Sequence, residues 1–262
     1  MNIGFIQFCP EFGEKERNVR RAVDLIKQTD ADLLVLPELF NSGYLFTSIQ
    51  EVESLSEEIP GGFTTESLMD AAKEMSAFIV AGLSERSDRS FYNSAVLVGP
   101  NGFIDVYRKA HLFKDEPKWF QKGDTPFTVH DVGPARIGMM ICFDWIFPEA
   151  ARTLALKGAD IICHPSNLVL PYCQKAMVTR SVENGVFSIT CNRTGVEERG
   201  GERLEFTGTS VIVDPKGTVL ASASREVEET HVVEIDPQEA REKRVGQNEI
   251  FRERRTDLYE LG

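Results

Sequence analysis

The second half of this chain repeats the first, in the same order. NIGFIQF from Asn2 returns as RIGMMIC from Arg136, ADLLVLPEL from Ala31 as ADIICHPSNL from Ala159, and SAVLVGPNGFI from Ser94 as TSVIVDPKGTV from Thr209. The first two pairs are short apolar runs suited to buried strands. Helical patterns join them: EKERNVRRAVDLIKQ from Glu14, with Ala22, Val23, Leu25 and Ile26 on one side, and PEAARTLALKG from Pro148. The second opens with proline and an acid and stops at Gly158, where a left-handed residue is wanted. The third pair is strand, Pro/Gly turn, strand, which reads as a β-hairpin. Further strands are expected at SAFIVAGLS from Ser76 and VFSITCNR from Val186. A sheet covered by helices on one face still has an apolar face to bury, and two like halves bury theirs against each other. The expected class is therefore α/β, a four-layer α-β-β-α sandwich of two pseudo-symmetric halves. No linker or low-complexity stretch separates them, so residues 1–262 read as a single domain. The charged tail PQEAREKRVGQNEIFRERRTDLYELG, 237–262, reads as a helix or an arm at a subunit interface.

Charge excludes several functions. A net charge of −12 and a pI near 4.9 repel phosphate backbones and anionic membranes, so neither nucleic acid nor a membrane is an expected partner. No apolar run approaches the roughly 20 residues of a membrane span, and MNIGFIQFCPEFG lacks the basic start and long apolar core of a signal peptide. A cytoplasmic protein is expected. Its five cysteines, odd in number and without paired spacing, then read as reduced thiols, and the sequon at Asn192 carries no meaning.

Chemistry in open sheets gathers beyond the carboxyl ends of strands. Glu38 follows DLLVLP, Lys109 follows GFIDVYR, and Cys142 follows RIGMMI. Singly, each has a plain reading: a loop acid, a solvated cation, a core-filling thiol. Jointly they suit nucleophilic catalysis. A free thiol with a pKa of about 8.5 is only a few per cent thiolate at neutral pH, so a nucleophilic cysteine needs a base or a nearby cation. Glu38 can take the proton and return it to a leaving amine, while Lys109 and the helix after Pro148 favour the anion. The Phe143 N–H and the Lys109 ammonium can hold a developing oxyanion. Attack on a C–N bond through a thioester follows.

These segments resemble the nitrilase superfamily, the carbon-nitrogen hydrolases, across essentially the whole chain. LVLPELFNSGY, YRKAHLF and GMMICFDWIFPEAARTLALKGADIICHPSNL look like its three signature regions in order, and RRTDLY is also typical of it. The resemblance implies a Glu38–Lys109–Cys142 triad, with Glu116 in FKDEPKWF as a second glutamate that positions substrate and supports the lysine. It also implies the α-β-β-α fold, a homodimer or higher homo-oligomer, a small amide or nitrile as substrate, and no metal or organic cofactor.

Specificity is read from the neighbours of Cys142. Relatives acting on ω-amides or N-carbamoyl amino acids often carry an arginine there for the substrate carboxylate, whereas this chain has Trp145, Ile146 and Phe147. True nitrilases usually carry Trp-Glu directly after the cysteine, and here it is Phe143-Asp144. An amidase for small neutral, aliphatic or aromatic amides is expected, with Phe143, Trp145, Tyr44 and Asn167 as substrate-binding residues and Phe46 as a further candidate wall. N-carbamoyl amine hydrolysis and nitrile hydrolysis are the alternatives. Rival classes are a silent scaffold, which should have lost part of the triad; a Cys–His hydrolase using His164 or His111; and a zinc site at Cys163, His164 and Cys173, whose spacing is not a recognised ligand pattern. Glu149 and Arg152, three apart in PEAAR, read as a local ion pair or a subunit contact.

Overall fold

In the computed structural model, which describes residues 1–260, the repeated segments become matching strands. The first half runs β1 (Asn2–Gln7), α1 (Lys15–Lys27), β2 (Leu33–Val35), α2 (Ile49–Leu55), α3 (Phe63–Met75), β3 (Phe78–Ser87), β4 (Ser90–Gly99) and β5 (Gly102–Arg108). The second runs β6 (Val129–Val132), β7 (Ala135–Met139), α4 (Pro148–Leu156), β8 (Ile161–Pro165), α5 (Cys173–Asn184) and β9 (Phe187–Cys191). It continues with the hairpin β10 (Val196–Arg199) and β11 (Glu202–Glu205), then β12 (Val211–Val213), β13 (Val219–Ser222) and β14 (Glu229–Glu234). A small pair, β15 (Arg244–Val245) and β16 (Asn248–Glu249), follows.

Two six-stranded sheets result, ordered β14-β1-β2-β3-β4-β5 and β6-β7-β8-β9-β12-β13. Their plans coincide. Three central strands are parallel (β1-β2-β3 and β7-β8-β9), and every other pairing is antiparallel. Strand β14 closes the first sheet on β1, with Asn2 opposite Glu234 and Gln7 opposite Glu229, so the end of the second half is stitched into the first.

Strand periodicity sets the layers. Leu33 and Val35 of β2 face inward with Phe5, Val80 and Leu97, and meet Ile137, Met139, Ile161 and Ile189 of the opposite sheet in one buried cluster. Leu34 points the other way, joining Ile6, Ile79 and Val96 beneath Val19, Ala22, Ile26 of α1 and Leu68, Ala72 of α3. Helices α4 and α5 cover the second sheet through Ala151, Leu154, Cys173 and Met177. Each fully buried side chain of this kind contributes about 1.5–3 kcal/mol, so the sheet–sheet seam carries much of the driving force. Val23 and Leu25 of α1 are only half-buried, on the margin of its apolar stripe.

Local expectations were met at several turns. Pro148 begins α4 and Gly158, at φ +88°, follows its end. A 3-10 turn, Cys142–Ile146, links β7 to it. The tail contains no α-helix among the described residues. It is an arm of a 3-10 turn (Pro237–Arg241), the β15–β16 pair around Gly246 at φ +65°, and further turns. Arg241 pairs with Asp160 at 2.9 Å, and Lys243 Nζ caps the carbonyls of Asn184 and Gly185 at 3.0 and 2.7 Å. Leu261 and Gly262, the end of the expected arm, lie outside the described residues. Arg152 donates to the Glu183 carbonyl at 2.8 Å and lies 5.2 Å from the Phe251 ring, so of the two readings given for Glu149 and Arg152 the local ion pair is not formed.

Candidate active site

Three strand ends deliver three polar side chains to one place. Glu38 leaves β2 at full burial, because Gly82 of β3 has no side chain: a Cβ there would stand 2.5 Å from the Glu38 Cα. Leu39, the next residue, has φ +48°. Lys109 follows β5, also fully buried, its N–H bonded to the Asn93 carbonyl at 2.8 Å. Cys142 opens its 3-10 turn at φ +40°, a left-handed conformation that costs a residue with a side chain about 1–3 kcal/mol and concentrates at functional sites.

The Lys109 ammonium is the centre of the cluster. It donates to Glu38 Oε1 at 2.6 Å and to Glu116 Oε1 at 2.7 Å. Asn93 Nδ2 also donates to Glu38 Oε1, at 2.7 Å, and the Tyr44 hydroxyl and the Phe113 N–H donate to Glu116 at 2.9 and 3.2 Å. The second Glu38 oxygen, Oε2, is buried and bonded to no protein group. Burial alone would lower the Lys109 pKa, but Glu116 and Glu38 outweigh it and hold the ammonium above its ordinary value. Burial, then repulsion from Glu38, pushes Glu116 up to about 7 against the pull of Lys109. Burial and the Glu38 and Glu116 carboxylates also push the Cys142 thiol well above its ordinary value, with Lys109 opposing. Lys109 favours the anion, as expected, but burial and the two carboxylates outweigh it, so the balance in this dry site favours the protonated thiol and leaves Glu38 the task of taking its proton.

Asp144, which the sequence marked only as a departure from the nitrilase pattern, braces the whole arrangement. Fully buried, it accepts from the Ile141 N–H at 2.8 Å and the Tyr107 hydroxyl at 2.8 Å through Oδ2, and from His111 Nδ1 at 2.7 Å through Oδ1. One carboxylate thus ties the Cys142 turn to the segment carrying Lys109. His164 plays a matching part. Its Nε2–H donates to the Cys142 carbonyl at 2.9 Å, and burial lowers its pKa to about 4, so it is neutral. Both histidines hold the scaffold; neither is hydrogen-bonded to the Cys142 sulfur.

Cys142 lies in a cavity of about 240 Å³ shared with Phe113, Phe143, Trp145, Asn167, Leu168, Val169 and Leu170. Three of the four expected substrate-binding residues, Phe143, Trp145 and Asn167, line it. Tyr44 does not. With Phe46 it borders a neighbouring cavity of about 330 Å³ on the side of Glu116 and Trp119. Tyr44 reaches the cluster through its hydroxyl, and Phe46 packs edge-on against Phe12 and Phe120.

Comparison with known proteins gives a consistent answer. The carbon-nitrogen hydrolase family matches residues 2–245. The chain is 48% identical to a nitrilase of Pyrococcus abyssi, over 99% of both chains. It is 36% identical to an (R)-stereoselective amidase of Pseudomonas sp, over 90% of this chain and 85% of that one. Among solved structures, a variant of the amidase of Nesterenkonia sp. AN1, showing Michael addition of acrylamide at its active-site cysteine, superposes with a TM-score of 0.77. It shares 25% identity, over 93% of this chain and 96% of that one.

Proposed function

This chain belongs to the carbon-nitrogen hydrolase family, and within it we propose an amidase that cleaves small neutral amides through a thioester on Cys142. One observation carries the reading: a thiol in a small cavity with no charged side chain in its wall, backed by the Glu38–Lys109–Glu116 cluster. A carboxylate carried into that wall would be buried unpaired, at a cost of several kcal/mol.

Since the resting thiol is protonated, attack requires a base at that moment. Glu38 Oε2, which has no other protein partner, takes the proton as Sγ bonds to the amide carbon. The oxyanion rests on the Lys109 ammonium and on the Phe143 N–H, near the start of a 3-10 turn whose first donors have no partner within it. The C–N bond breaks, the departing nitrogen takes the proton from Glu38, and ammonia leaves a thioester. Water then gives a proton to Glu38 and attacks. The C–S bond breaks, the acid is released, and the thiolate recovers its proton. Glu116 keeps Lys109 charged and in place.

Ammonia release from neutral amides, ω-amides of dicarboxylates, N-carbamoyl amines and nitriles, with Cys142→Ala as control, tests this. Neutral amides should be turned over, with activity lost in the variant and its circular dichroism unchanged. Preference for an ω-amido acid, or activity surviving in Cys142→Ala, refutes the reading. The 48% identical relative named a nitrilase favours a second one, nitrile hydrolysis, in which attack gives a thioimidate and an extra water is needed before ammonia leaves. Turnover of nitriles alone selects it.

A further inference from the structure

Asn167 is anomalous among the buried amides. It is 2% exposed, and neither its Oδ1 nor its Nδ2 meets a protein partner. Asn41, Asn93 and Asn184 each leave Oδ1 free, but each satisfies Nδ2, on Thr64, Glu38 and the Arg180 carbonyl respectively. Among the buried side-chain amides of the described residues Asn167 alone has both ends unmet, and it alone of these lines the cavity of Cys142.

The backbone holds it there. The Ser166 N–H bonds the Cys191 carbonyl at 2.8 Å, the Leu168 N–H bonds Asn192 Oδ1 at 2.8 Å, and the Leu168 carbonyl accepts from the Thr207 N–H at 2.8 Å. With the backbone fixed on both sides, Asn167 stays at the cavity wall. The Cys142 sulfur lies 3.7 Å from the Asn167 main-chain carbonyl, so the side chain stands within one residue's reach of the carbon attached to sulfur. The remaining wall (Phe113, Phe143, Trp145, Leu168, Val169 and Leu170) is apolar around it.

We propose that Asn167 selects the acyl chain: the substrate is a small neutral amide bearing a group that both donates and accepts hydrogen bonds, a hydroxyl or a second carboxamide, one or two carbons from the reacting carbonyl. This rests on the amidase reading and narrows it. A plain alkyl amide would bury both ends of Asn167 against hydrocarbon, and a site built to bond a hydroxyl discriminates strongly against an analogue lacking it. An acyl chain with a hydroxyl satisfies the amide instead. Because the carbonyl carbon is fixed by Cys142 and Lys109, only one enantiomer of a 2-hydroxy amide turns its hydroxyl toward Asn167.

The test compares kcat/KM for lactamide, as separate enantiomers, with isobutyramide, in which a methyl replaces the hydroxyl, in the native protein and in Asn167→Leu. One lactamide enantiomer should exceed both its mirror image and isobutyramide by about 10²-fold, and Asn167→Leu should collapse both ratios toward one. These are ratios within one preparation, so incomplete folding of the variant does not affect them, and the native ratios stand without the variant. Equal turnover of all three by the native protein, or ratios unchanged in Asn167→Leu, overturns the inference and leaves the amidase reading intact. Turnover of none of them, with nitriles or N-carbamoyl amines hydrolysed instead, overturns the amidase reading and this inference with it.

Discussion

At the scale of residues, the reactive cluster shares one cation between two acids. Glu116, pushed up to about 7, is the member whose charge changes within the working range. In the proposed cycle its ionised form holds Lys109, so kcat/KM should fall as pH drops below about 7, and Glu116→Gln should lose that limb along with activity. Stability should run the opposite way. A carboxylate whose folded pKa lies above its ordinary value contributes stability that is complete below the ordinary value and is lost as pH rises through the folded one. Raising pH from 5 to 8 should therefore destabilise the native protein relative to Glu116→Gln, measured by urea unfolding across that range. An unchanged difference would remove Glu116 from the titrating groups.

At the scale of elements, the loop after β2 carries both Glu38 and Tyr44, and a buried ion pair clamps it. Glu197 of β10 pairs with the fully buried Arg193 and accepts from the N–H groups of Tyr44, through both oxygens at 3.1 Å, and Leu45, at 2.6 Å. Arg193 also lies over the Phe206 ring at 4.1 Å and donates to the Pro10 carbonyl at 3.0 Å. Removing one partner of a buried pair leaves the other charge uncompensated, at about 3–5 kcal/mol. Glu197→Gln keeps an acceptor but leaves Arg193 unpaired, so its unfolding free energy should fall by about 3 kcal/mol. Its residual activity should also drop, because Tyr44 no longer holds Glu116 in register. Native-like stability would mean that Arg193 finds another partner. Asp144 does similar work between the Lys109 segment and the Cys142 turn, and sequence inspection used it only as a mark of specificity.

At the scale of the whole molecule, the two sheets bury their faces on each other while the arm is left on the outside. Tyr172 at the start of α5, Val182 on α5, and Leu258 and Tyr259 in the arm are exposed, and Tyr259 borders a hollow of about 690 Å³ with Pro148, Glu149, Arg152 and Glu183. Exposed apolar groups of this kind suit a second copy. The expected homodimer should appear at about twice the chain mass in sedimentation at micromolar concentration, and truncation after Ile250 should shift it to monomer. A native monomer at all concentrations would remove the arm from any such role.

What the sequence determined was whatever depends on local pattern. The internal echoes gave matching strands, the Pro/Gly turns gave hairpins, and three polar residues beyond apolar runs marked Glu38, Lys109 and Cys142 as companions, because periodicity and turn chemistry act over a few residues. Strand β14 was not anticipated: it joins the first sheet only through pairing with β1, more than 220 positions away. The thiol's protonation, the role of Tyr44 and the bracing by Asp144 and Glu197 were decided by tertiary structure. Each depends on which charges and donors burial brings within about 3 Å, and segments distant in the chain supply them.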